Sequence, residues 1–172
     1  GSTAVQCKGG TSDLEIRWCT LVEPGPRGVN IGGSTGPEYF RPPLSTTGPN
    51  AEARNVRVVG NVIAGGDTAF AFVGAVDCVA AHNTILTPHT WLFRILQETT
   101  STDEYVFVEA RDCEVSNNVF LFDRADLSTW VNVGANTQPE TFLYRNNLWF
   151  ARDDPARSQP AQVVGETGGL YG

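Results

Sequence analysis

A nine-residue pattern occurs five times in this chain, and no other feature restricts its fold as tightly. The copies begin at Asp13 (DLEIRWCTL), Asn55 (NVRVVGNVI), Asp77 (DCVAAHNTI), Asp112 (DCEVSNNVF) and Thr141 (TFLYRNNLW). Stacked, their second positions read Leu14, Val56, Cys78, Cys113, Phe142, and their fourth Ile16, Val58, Ala80, Val115, Tyr144. The seventh are Cys19, Asn61, Asn83, Asn118, Asn147, and the ninth Leu21, Ile63, Ile85, Phe120, Trp149. Apolar residues at the second and fourth positions, with polar or variable ones between, alternate with the period of a half-buried strand. Repetition of such a unit predicts a solenoid, whose repeats bury a core only by stacking on one another.

The seventh-position Asn is expected at a turn, where its backbone tolerates left-handed geometry and its amide bonds to its counterparts on the coils above and below. Buried amides are acceptable only when each is satisfied, as an in-register parallel stack allows. A second strand is expected in each repeat: Val29-Asn30-Ile31, Phe70-Ala71-Phe72, Phe93-Arg94-Ile95 and Val131-Asn132-Val133, with Val5-Gln6-Cys7 as a copy lacking its first strand. The shortest interval, from Asn55 to Asp77, is 22 residues. Longer intervals mark loops inserted between coils.

On these residues the chain resembles the right-handed parallel β-helices of the pectate-lyase-like superfamily. The likeness covers residues 3–150 and implies an all-β, single-stranded solenoid of about five coils with an Asn ladder. Residues 151–172, rich in Pro and Gly, read as an irregular tail over the last coil, and Gly1-Ser2 as a remnant of cloning. One such fold hosts many activities.

Composition narrows the partners. A net charge of −7 argues against nucleic acid, whose binding needs clustered Lys and Arg. No apolar run is long enough to span a bilayer. A uronate polymer would need a local basic patch or a bridging divalent cation, whereas a neutral polysaccharide would not. Cys78 and Cys113 share one inward position on successive coils. They read as reduced core thiols in preference to a disulfide, because in-register parallel neighbours rarely reach the required dihedral.

Two long insertions follow second strands, Ser34–Ala53 and about Gln97–Ala110, and should project from the same side. Long loops on a rigid scaffold are common binding elements. Tyr39, Phe40, Tyr105 and Phe107 offer flat surfaces for sugar rings; the plainer expectation is that they pin the loops onto the coil. Along the second strands the outward row is Gln6, Asn30, Ala71, Arg94, Asn132, followed by Lys8, Gly32, Val73, Leu96, Gly134. A linear polymer could lie across these rows, with the glycines admitting it to the backbone; the alternative is a solvated sheet face.

QCKGG, with GVNIGGSTG one coil later, is similar to the alginate lyase and chondroitinase B group. That likeness implies Lys8 as the base in β-elimination, with an Arg one coil onward and calcium often neutralising the uronate. The matching Arg would fall near Ile31 or Gly32, and neither residue can replace it; Arg27 and Arg94 are the candidate electrostatic helpers. Facing carboxylates for a hydrolase are missing, since Glu15 and Glu114 share a row three coils apart. His82 and His89 lack ligand spacing for a metal.

The expectation is therefore an extracellular or periplasmic module that binds a polysaccharide without turnover. Asn30, Arg94, Asn132, Tyr39, Phe40 and Tyr105 would supply the contacts. The alternatives are a lyase with Lys8 as base and Arg27 or Arg94 as helper, calcium being its one expected cofactor, and a purely structural segment. Unpaired strand edges at the ends also predict end-to-end self-association.

Overall fold

The computed structural model describes residues 2–163 and 165–172; Gly1, half of the expected cloning remnant, lies outside them. Among the described residues every pair of strands is parallel. The molecule is all-β with the sheet arrangement of a parallel solenoid. One face stacks Glu15–Arg17, Arg57–Val59, Val79–Ala81, Glu114–Ser116 and Leu143–Arg145. A second stacks Thr20–Val22, Val62–Ala64, Thr84–Leu86, Val119–Phe122, Leu148–Ala151 and Leu170–Tyr171. A third stacks Val5–Cys7, Val29–Gly32, Thr68–Val73, Trp91–Leu96 and Val131–Val133. A narrow strip of Thr11–Ser12, Ala53–Arg54 and Ala75–Val76 closes one corner.

The register follows the repeat. Ile16, Val58, Ala80, Val115 and Tyr144 are direct neighbours on the first face. Leu21, Ile63, Ile85, Phe120 and Trp149 are direct neighbours on the second. A one-residue slip would turn each inward row outward, so burial holds the pairing in place. The ninth-position residues thus belong to a strand of their own, which a reading of two strands per repeat misses. A single polar corner separates it from the first strand, and both strands are only three residues long in most coils.

The corners correct a second expectation. Left-handed backbone occurs one residue before the Asn row, at Trp18 (φ 56°), Gly60 (68°), His82 (57°), Asn117 (54°) and Asn146 (53°). It occurs again at the first position, at Asp13, Asn55, Asp77 and Asp112. The sixth residue absorbs the reversal, which leaves the seventh free to turn its amide inward. Trp18 and His82 hold this geometry without the short polar side chain that eases it in Asn and Asp.

The inward amides satisfy one another, and those of Asn83, Asn118 and Asn147 are saturated. Asn61 Nδ2 donates to Asn83 Oδ1, Asn83 Nδ2 to Asn118 Oδ1, and Asn118 Nδ2 to Asn147 Oδ1, each at 3.0 Å. The second proton of each goes to a backbone carbonyl: Ile16 for Asn61, Val58 for Asn83 and Ala80 for Asn118. Each Oδ1 of Asn83, Asn118 and Asn147 also accepts the backbone N–H of the preceding Asn.

Aromatic rings fill the core between faces. Phe70 stacks on Phe93 with centroids 5.5 Å apart, and Phe120 lies 4.1 Å from Trp149 at an interplanar angle of 6°. Stacked and edge-on rings each contribute beyond their buried area. The tail is more regular than its composition suggests: Leu170–Tyr171 adds a strand beside Leu148–Ala151.

Candidate functional site

The third face carries the chemistry. Its register aligns Gln6, Asn30, Ala71, Arg94 and Asn132 as one row. Alternation sends Val29, Ile31, Phe70, Phe72, Phe93 and Ile95 into the core, so the intervening residues face away from it. Arg94 Nε donates to Asn132 Oδ1 at 2.9 Å, and its guanidinium sits 4.1 Å from the centroid of the half-buried Trp91 ring. Among the described residues no carboxylate lies within ion-pair distance of Arg94. Partial burial, followed by repulsion from Arg27, holds its pKa below the usual arginine value, with Glu98 and Asp67 acting in the opposite sense.

Arg27 reaches the same face from the turn before Val29. Its Nη1 donates to Asn30 Oδ1 at 2.8 Å, and its Nη2 pairs with Glu98 at 2.5 Å. Lys8 is exposed and donates through Nζ to the Ser34 carbonyl at 3.3 Å. Its stem runs beside Gly33, where an added Cβ would meet both Lys8 Cδ and Asn30 Nδ2. Lys8, Arg27 and Arg94 are therefore spread along one sheet of an otherwise acidic chain, Arg94 three strands from the Lys8 end. Gly32, the neighbour of the Lys8 position one coil on, accommodates no side chain: a Cβ there would lie 1.8 Å from the Val73 carbonyl oxygen.

The face is not open along its length. After Trp91–Leu96 the chain turns back, with Glu98 bound to Arg27 and Thr99 Oγ1 directed to the Gly33 carbonyl and to Glu52. Ala71 and Val73 are fully buried, and Leu96 nearly so. Asn30 is 4% exposed, and both ends of its amide are engaged, by Arg27 and by the Gly32 carbonyl. It therefore positions Arg27 and does not present its amide to a ligand. Asn132 and Arg94 remain partly exposed beyond the crossing segment, and Gln6 and Lys8 are exposed before it.

The loops do project together. Asn50 N–H donates to the Val106 carbonyl and Val108 N–H to that of Asn50, at 2.8 and 2.9 Å. Phe40 corrects the sugar-platform expectation: it is 1% exposed and packs against Phe107 at 5.6 Å, pinning one loop to the other. Tyr39, on the short helical turn Pro37–Tyr39, is largely exposed. Tyr105 is partly exposed, and its hydrogen bond to the Glu104 carboxylate raises its hydroxyl pKa.

Glu52 is a residue that pattern reading missed. Its side chain is fully buried at the root of both loops. It accepts from Gly9 N (2.9 Å), Thr35 N (2.9 Å), Thr35 Oγ1 (2.7 Å) and Thr99 Oγ1. Gly32 and Gly74 leave room for its stem. Four donors without a cation satisfy a carboxylate, so Glu52 joins three separate segments. A lone Glu between two Ala (NAEAR) gives no periodic signal of this role. Trp130 was also missed; with Arg124, Arg157, Gln162 and Tyr171 it lines a cleft of about 640 Å³ two residues from Asn132.

All four cysteines are free, and Cys7, Cys78 and Cys113 are buried. Burial and the neighbouring Cys78 push the Cys7 thiol up to about 11. His82 stands at an exposed corner, and His89 Nε2 lies 3.7 Å from Glu23. Among the described residues no cluster of three or more His, Cys, Asp or Glu side chains has the geometry of a metal site, and no helix is long and apolar enough to cross a membrane. Asp153 accepts from the backbone N–H groups of Arg124 and Ala125, which lower its pKa.

No protein-family model matches the chain, and neither a curated protein nor a solved structure matches it.

Proposed function

We propose that this chain is a right-handed parallel β-helix of about five coils with an Asn ladder, of the pectate-lyase-like kind, and that it binds a polysaccharide without turnover. The observation that carries this reading is Arg94. A guanidinium stacked on a half-buried Trp, held by Asn132 and free of any carboxylate partner, is a planar donor set beside an apolar plate. Sugar hydroxyls and ring faces match that combination. Asn132, Tyr39 and Tyr105 extend the contacts, and Asn30 acts through Arg27. An extracellular or periplasmic setting goes with such a ligand.

A lyase is the second reading, and Arg27 favours it by bringing a guanidinium to the Lys8 side of the face. Lys8 would remove the proton beside a uronate carboxylate, with Arg27 or Arg94 stabilising the developing charge and calcium assisting. Against it, Arg27 is already paired with Glu98, and Gly32 leaves no side chain at the matching position.

The test is a panel of neutral and uronic-acid polysaccharides measured for both binding and unsaturated product, with calcium and with chelator. Binding without ultraviolet-absorbing product, weakened at least about tenfold in Arg94→Ala, is the expected result. Product that disappears in Lys8→Ala would establish the lyase. Binding of none of the polymers would leave a structural segment.

A further inference from the structure

The corner between the second and third faces holds the cleft of about 640 Å³, set between residues 124–130 and 156–162. Sites for small organic ligands span about 300–1,000 Å³. Trp130 forms an apolar wall, with Arg124, Arg157, Gln162, Ser128 and Thr129 around it. Among the described residues no carboxylate lines the cleft. Both arginines bind one oxygen, Asp154 Oδ2: Arg124 Nη1 at 2.9 Å, Arg157 Nε at 2.6 Å and Arg157 Nη2 at 2.5 Å. Two guanidiniums thus share one carboxylate, which leaves one positive charge without an anion of its own. The neighbouring acids are engaged elsewhere, Asp123 on Arg152 and Asp153 on the backbone N–H groups of Arg124 and Ala125. Arg124 Nε is buried with no hydrogen-bond partner among the described residues.

We propose that this cleft binds a carboxylate-bearing sugar, a uronate unit, as a subsite beside Arg94 and Asn132. The inference rests on the polysaccharide reading and names an acidic class of ligand within it. A planar carboxylate matches the guanidinium fork. Arg124 Nη2 and Arg157 Nη1 make no hydrogen bond among the described residues, so each has a donor to give. Trp130 supplies the flat apolar surface that suits a sugar ring. Gln162 Nε2 lies 3.4 Å from Thr129 Oγ1, a long bond that a sugar hydroxyl can replace. The cleft adjoins the Arg94 plate. Ser128 N–H donates to the Thr90 carbonyl at 3.1 Å and Leu92 N–H to that of Trp130 at 2.7 Å, which sets the cleft wall against the segment carrying Trp91. Asn132 follows Trp130 by two residues. The unshared positive charge selects a uronate over a neutral sugar.

Calorimetry on the full chain tests this with trisaccharides of galacturonate, glucuronate, mannuronate and guluronate. Each is paired with the same trisaccharide carrying alcohols in place of its carboxyls. At least one uronate trisaccharide should bind at least about tenfold more tightly than its reduced counterpart. Arg157→Gln, at a side chain 67% exposed where folding is not at stake, should bring the two to within about threefold of each other. Arg94→Ala should weaken both, and circular dichroism confirms that each variant folds. Equal binding of acidic and reduced forms, or a preference that survives Arg157→Gln, would overturn the cleft proposal and leave the polysaccharide reading standing. So would a polymer that binds when no trisaccharide does. Binding of no trisaccharide and no polymer would overturn both.

Discussion

The two ends of the solenoid solve the same problem differently. At the C-terminal end the amide chain stops on a carboxylate. Glu166 accepts from Asn147 N, Asn147 Nδ2, Trp149 Nε1 and Tyr171 OH, at 3.0, 2.8, 2.8 and 2.5 Å. Val163 is buried there, and Leu170–Tyr171 pairs with Leu148–Ala151, the strand that carries Trp149. At the N-terminal end the row finishes in Cys19, whose backbone N–H reaches Asn61 Oδ1 at 3.0 Å but whose thiol only turns back to the Arg17 carbonyl. No strand among the described residues covers that edge. A stack of amides is thus stable in its middle because each member satisfies the next, and its ends need an acceptor or a partner from elsewhere.

The largest effect should come from the middle of the stack. Asn83→Leu removes the acceptor of Asn61 N and Nδ2 and the donor to Val58 and Asn118. Orphaned buried donors should destabilise the fold by about 3–5 kcal/mol in urea titration. Glu166→Ala should cost about 1–3 kcal/mol, less because the cap is nearer solvent, and Glu166→Gln about half of that. A cost for Glu166→Ala equal to that of Asn83→Leu would erase the distinction between interior and end. Cys19→Asn lengthens the stack by one amide directed at Asn61 Oδ1, and should add about 0.5–1 kcal/mol.

The smallest effect is spectroscopic. Burial and the Glu166 bond push the Tyr171 hydroxyl up to about 12, against about 10 for an unperturbed tyrosine. A raised folded-state pKa means that the neutral phenol is favoured by folding. The contribution is therefore complete below about pH 10 and lost as pH rises through about 12. In alkaline absorbance titration, Glu166→Ala should move one tyrosine step downward, and Tyr171→Phe should remove it.

The rows Ile16 to Tyr144 and Leu21 to Trp149 were legible in the sequence because burial imposes one residue type at one offset, coil after coil. The Arg94 row was legible for the same reason, being the outward partner of an inward apolar row. Glu52, Glu166 and Trp130 were not. Each acts once, at a loop root, an end or a cleft, so it leaves no periodic trace. Left-handed geometry was assigned to the wrong corner residue because Asn61, Asn83, Asn118 and Asn147 repeat conspicuously. Trp18, Gly60 and His82 share a backbone conformation but no chemistry. The crossing of Glu98 and Thr99 over the third face was invisible for a different reason: it depends on where a loop returns, which local pattern does not specify.

Native-state hydrogen exchange of the backbone amides along the stack, at dilute protein, is the most direct measurement. The difference between the ends predicts that Asn83, Asn118 and Asn147 exchange only by global unfolding, whereas Cys19 exchanges by local opening at least about a hundredfold faster. Equal protection at Cys19 and Asn147, or faster exchange at Asn147, would contradict it.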